Sequence, residues 1–115
     1  MKTYSLDKIK AFIGDDQEML IKLIRIFVEN GPEILNSIKI SALKKDYETL
    51  AFLAHKLKTS IDHFSIKTLT NEIRLIEKYA GNKINLNLLP SLVQKLEQEL
   101  QVTINELKKD FNTQL

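Results

Sequence analysis

The apolar residues of this chain recur at intervals of three and four and almost never alternate, a pattern that predicts helices throughout. Ser5 to Phe12 (SLDKIKAF) reads as a short leading helix with Ser5 as its N-cap, and Asp15 or Asp16 is placed to cap the next. That second segment sets Leu20, Leu23, Ile24 and Phe27 on one side and Glu18, Lys22, Arg25 and Glu29 on the other. The spacing resumes beyond Gly31-Pro32 with Ile34, Leu35, Ile38 and Leu43. One long helix, kinked where proline removes a hydrogen bond, is expected there. Asp46 is the expected cap of a third helix running to about Phe64. Ser65 is the expected cap of a fourth, which buries Ile66, Leu69, Ile73, Ile76 and Ala80 and stops at Gly81. A polar loop, Asn82 to Asn87, leads to a last helix from about Leu88 that buries Leu89, Leu92, Val93, Leu96, Leu100, Ile104 and Leu107.

Four amphipathic helices on short connections have one economical packing. The predicted fold is all-α, an antiparallel up-down four-helix bundle with a short extra N-terminal helix, as a single domain over residues 1–115. Composition agrees, since 43% hydrophobic and 28% charged residues is ordinary for a globular chain. The 17 basic residues are interleaved with 15 acidic ones and build no stripe, so nucleic acid is not an expected partner. With no cysteine, disulfides and thiolate metal sites are excluded. No apolar run reaches signal-peptide or membrane-spanning length; a cytoplasmic protein without membrane contact is expected.

Candidate chemistry centres on the stretch AHKLKTSIDHF, Ala54 to Phe64. With about 100° of rotation per residue, Leu50, Leu53, Leu57, Ser60, Ile61 and Phe64 cluster opposite His55 and form the core stripe. His55 therefore faces outward, together with Glu48, Ala51, Phe52, Lys58, Thr59 and Asp62. Ala51 and Thr59, one turn to either side, are small and leave the ring approachable. Phe52 is a large aromatic on the same outer face, where a partner would cover it. Lys58 stands at i+3, within reach of an anion attached to the ring, and Lys56 adds to the local positive field. These features suit phosphoryl acceptance, because a neutral imidazole is a competent nucleophile and a nearby ammonium offsets the arriving charge.

The stretch AHKLKTSIDHFSIKTL resembles the signature of histidine phosphotransfer (HPt) domains of multistep two-component phosphorelays. The matching places hold Ala54, His55, Leu57, Lys58, Thr59, Ser60, Phe64, Ser65 and the helix from Ile66. The upstream LIRIFVENGPEIL is similar to the family's preceding helix and IRLIEKYA to its following one. The resemblance implies that His55 accepts a phosphoryl group from one receiver-domain aspartate and passes it to another, with Lys58 steadying the group. It also implies a phosphocarrier without kinase activity of its own, and no cofactor bound by this chain, Mg²⁺ being supplied by the receiver. The implied partners are receiver domains of response regulators and hybrid histidine kinases, met by a monomer through Ala51, Phe52 and Asp62. One departure is Thr59, which stands where the family has glycine. Its hydroxyl offers a hydrogen bond to the phosphoryl group, its bulk narrows the approach, and the sequence leaves both open. Asp62 likewise could repel the phosphoryl group, pair with Lys58, pair with the partner, or stand solvated.

Other readings are weaker. His55, Asp62 and His63 lie two turns apart and give no tight metal pair, so no metal site is expected. Ser60 faces the core stripe and lacks an oxyanion-type loop, which argues against nucleophilic catalysis. The remaining alternatives are an unphosphorylated adaptor for receiver or kinase domains, and a self-associating bundle using the extra apolar residues Met19, Ile21, Ile26 and Val28.

Overall fold

A computed structural model describes residues 2–115. It contains five α-helices: α1 (Asp7–Ile13), α2 (Gln17–Leu43), α3 (Tyr47–His63), α4 (Thr70–Asn82) and α5 (Leu89–Asp110). A single 3-10 turn, Leu86–Leu88, leads into α5, and there is no strand among the described residues. The all-helical expectation holds.

Helix starts follow the acidic caps. The Asp16 carboxylate accepts from the Met19 amide at the start of α2, and the Asp46 carboxylate accepts from Thr49 at the start of α3. Two serine caps are corrected. Ser5 lies outside α1, whose N-cap is Leu6; its hydroxyl only accepts from the Asp7 amide at 3.3 Å. Ser65 does not cap a helix start at all. It takes a left-handed φ of 50° and closes α3, its amide donating to Asp62 O while the Ile66 amide donates to Ile61 O. That is a Schellman ending, with Ile66 and Ile61 fully buried as its apolar pair. Residues 66–69 then form one hydrogen-bonded turn before α4 begins at Thr70.

The helix stop expected at Gly81 also shifts, while the single long helix expected through Gly31-Pro32 holds. Gly81 lies inside α4, which continues to Asn82 and turns off through a left-handed Lys83. Gly31 and Pro32 both lie inside α2, a single helix of 27 residues. A methyl group at Gly31 would come within 3.2 Å of the Ile104 side chain, so glycine there lets α2 and α5 approach. Leu43, which continued the apolar spacing of α2, is 83% exposed.

The core is otherwise as the periodicity set it out. Leu20, Ile24, Phe27, Leu35 and Ile38 of α2 meet Leu50, Ala54, Leu57 and Ile61 of α3 in one cluster. Ile73, Ile76 and Ala80 of α4 and Leu96, Leu100, Ile104 and Leu107 of α5 complete it. Leu23, Leu53 and Leu92 are only partly buried at its margin. Phe27 and Phe64 stack with ring centres 4.4 Å apart. Helix α2 packs on α3 and α5, α4 packs on the same two, and α1 lies against α2.

The N-terminal segment straps the ends together. The Thr3 amide donates to Glu106 at 2.8 Å, the Tyr4 hydroxyl donates to Asp110 at 2.5 Å, and the Ser5 amide donates to Phe64 O at 2.9 Å. Burial, with help from the Asp110 carboxylate, pushes the Tyr4 phenol above its ordinary pKa. The strap fixes α1 beside the end of α3. No helix among the described residues is long and apolar enough to cross a membrane.

Candidate functional site

On α3 Ala54, just before His55, and Leu57, two residues after it, are fully buried, which fixes the rotation of the helix about its axis. The same constraint turns His55 outward, and its side chain is 65% exposed. Lys58, Thr59, Lys56, Ala51, Phe52 and Asp62 lie around it, but the structure sorts them to two sides.

The first side faces α4. There the Glu77 carboxylate divides its oxygens between two residues of α3. Lys58 Nζ donates to Oε1 at 2.8 Å, and His55 Nδ1 lies 2.6 Å from Oε2. Burial pushes the Glu77 carboxyl upward, but the hydrogen bonds from Lys58 and His55 outweigh it and hold the group below its usual range. Glu77 is thus an acceptor at neutral pH, which makes Nδ1 the donor of that hydrogen bond; in the neutral form of the ring the lone pair then lies on Nε2. Two turns along from His55, Asp62 pairs with Arg74 at 2.8 Å instead of with Lys58. One turn back, Ala51 is half-buried where α4 comes close, a methyl group at Gly81 lying 3.8 Å from its Cβ. Ala51 and Asp62 are therefore partly committed to α4 and less available to a partner than the sequence suggests.

The second side faces α2. Phe52 is 66% exposed, and Lys56, Thr59 and His63 are exposed beyond it. Among the described residues none of these side chains makes a hydrogen bond or ion pair. Lys56, Ser60 and His63 form one wall of an apolar groove whose other walls include Ile26 and Ile34 of α2 and Ile9 of α1. Ser60 is half-buried in that wall, consistent with a packing role. No cluster of three or more His, Cys, Asp or Glu placed to hold a metal ion occurs among the described residues.

Sequence reasoning missed Glu77 and the groove. A signal for Glu77 existed in the short connection between α3 and α4. The contacts run in opposite order along the two helices, Ala51 with Gly81 and then His55 with Glu77. Two small residues allowing close approach, Ala51 followed one turn on by His55 and Gly81 preceded one turn back by Glu77, would have suggested that register.

Comparison with curated proteins and with solved structures gives no match. Comparison with protein-family models matches residues 22–108 to the Hpt domain, a stretch that runs from the first turns of α2 nearly to the end of α5. Hpt domains are helical bundles that carry phosphoryl groups in two-component phosphorelays and interact with receiver domains. With that match spanning well over half of the chain, and an outward-facing histidine on the helix that bears the signature, the protein belongs to the Hpt domain family.

Proposed function

We propose that His55 is the phosphoacceptor of this domain, taking a phosphoryl group from a receiver aspartate and relaying it to a second receiver. The observation that carries the reading is the ring itself: exposed, anchored through Nδ1, and projecting from a helix face whose opposite side is fully buried. An anchored ring presents one nitrogen in one direction, which is what in-line transfer between two proteins requires. Lys58, one turn away, stands where its ammonium can swing from Glu77 to the phosphoryl oxygens.

The receiver docks on the α2 side of the site. Phe52 and the groove give it apolar surface to cover, and Lys56 and Thr59 lie between that surface and the ring. The acidic pocket and its Mg²⁺ belong to the receiver, and this chain binds neither metal nor cofactor. The four long helices act as an antiparallel up-down bundle, working as a monomeric cytoplasmic domain over residues 1–115, with receivers of response regulators or hybrid kinases as partners.

Incubation with a phosphorylated receiver should place an acid-labile, base-stable phosphate on the wild-type protein and none on His55→Gln. An unlabelled wild type that still binds the receiver would make the domain an adaptor instead.

A further inference from the structure

We propose that Thr59 determines which receivers can transfer to His55, admitting those that lay a small residue over it and excluding those that present a large side chain there. The inference rests on the acceptor role of His55 and adds to it the shape required of the partner.

Thr59 follows His55 by one turn, about 40° round the helix toward α2, and Phe52 precedes it by one turn, about 60° round on the same side. The two bracket the ring on its open edge, so a receiver that covers Phe52 also passes over Thr59. Thr59 cannot turn away, because Leu57 and Ile61 are fully buried and fix the helix beneath it. Nor can its side chain fold flat, since a β-branched residue on a helix has few rotamers.

The fold makes no use of this side chain. Thr59 is exposed, and among the described residues its hydroxyl makes no hydrogen bond, unlike those of the other α-helical threonines. The Thr49 hydroxyl donates to the Asp46 carboxylate at 2.7 Å, Thr70 donates to Ile66 O at 3.3 Å, and Thr103 pairs with Thr3. Ala51, as far from His55 in the other direction, carries only a methyl group. A branched residue is also a poorer helix former than alanine, so the effect of Thr59 lies at the surface of a partner.

Distance turns that bulk into selectivity. In the transfer, a lone pair of the neutral ring forms an N–P bond while the P–O bond to the receiver's aspartate breaks, its electron pair leaving with the carboxylate. The reacting atoms must come within about 3–3.5 Å and in line, and a misplacement of about 1 Å costs on the order of a hundredfold in rate. A receiver that sets a large side chain against Thr59 is held off by a distance of that order, and one with a small residue there is not. The residue thus acts by penalising wrong partners, not by improving the right one.

The test measures transfer from a panel of phosphorylated receivers to the full-length wild type, Thr59→Ala and Thr59→Val. Receivers that serve the wild type poorly should gain about tenfold or more with Thr59→Ala, while those that serve it best should change by less than about threefold. Thr59→Val keeps the shape without the hydroxyl and should keep the wild-type ranking. Phosphoramidate, a phosphodonor too small to need docking, should label all three proteins at equal rates, as no change in the ring or the fold would allow. A uniform change across the panel, no gain by any receiver, unequal labelling by phosphoramidate, or a valine variant that behaves like alanine would overturn the inference and leave His55 as acceptor. A wild type that takes phosphate from neither source would remove the acceptor reading instead. Calorimetric binding of the same receivers would then decide the filter, and a ranking unchanged by Thr59→Ala would overturn it.

Discussion

On the α4 side of His55 the long polar side chains are tied across the helix pair, through Glu77 to His55 and Lys58 and through Arg74 to Asp62. On the α2 side Phe52, Lys56, Thr59 and His63 stand, among the described residues, without such ties beside an apolar groove. The contrast is one of preorganisation against availability. A reacting ring gains from being held, since each freedom removed beforehand need not be lost on reaching the transition state. A docking face gains from being uncovered, since apolar surface already packed has nothing left to contribute. One helix serves both needs because its two outer edges meet different neighbours. The tied edge lies against α4, its closest companion, and the open edge lies where α1 and α2 leave a furrow.

Substitutions can break this contrast in graded steps. The largest effect belongs to the buried face beneath both sides. Leu57→Ala should cost about 2–5 kcal/mol of stability in denaturant unfolding, since Leu57 is fully buried. Next comes the tied side. Lys58→Ala should slow phosphoryl acceptance about tenfold and leave the unfolding midpoint nearly unchanged, since its ion pair is partly solvated. The open side should respond in binding and not in the chemical step. Phe52→Ala should weaken receiver binding by about 1–2 kcal/mol in calorimetry and alter stability by no more than about 0.5 kcal/mol. At the junction of α3 and α4, Ser65→Gly should stabilise the domain by about 1 kcal/mol by relieving a left-handed φ that serine adopts at a cost.

Acid should loosen the tied side before the open one. The Glu77 carboxyl is held below its ordinary range, so the stability it supplies is complete above the unfolded-state pKa of about 4.3 and is lost as pH falls through its lower folded value. Asp46, lowered chiefly by the hydrogen bond from the Thr49 hydroxyl, loses its contribution in the same direction. An acid titration of stability should therefore decline below about pH 4, with a smaller decline in Glu77→Gln. An identical decline in the variant would mean that the carboxylate is not coupled to folding.

The helices, their acidic caps and most of the core were legible because each depends on residues within a turn or two. Asp16 and Asp46 cap through amides three residues on, and Leu50, Ala54, Leu57 and Ile61 share a face by helical period alone. The failures occurred where the chain departs from the usual residue. Lys45, Ser65 and Lys83 take left-handed conformations where glycine is customary, and Gly81 lies within a helix instead of ending it. There packing across helices overrode local preference: Gly81 beside Ala51 is kept small by a neighbour, not by a turn, as is Gly31 beside Ile104.

Sequence alone determined that His55 points away from the core, because a helix fixes the angle between a residue and its neighbours whatever surrounds it. It could not determine what holds the ring. Glu77 lies 22 residues further along, on another helix, and its distance from Nδ1 depends on how far α3 and α4 slide past each other. That sliding is set by side chains meeting across the whole interface, a property no single segment contains.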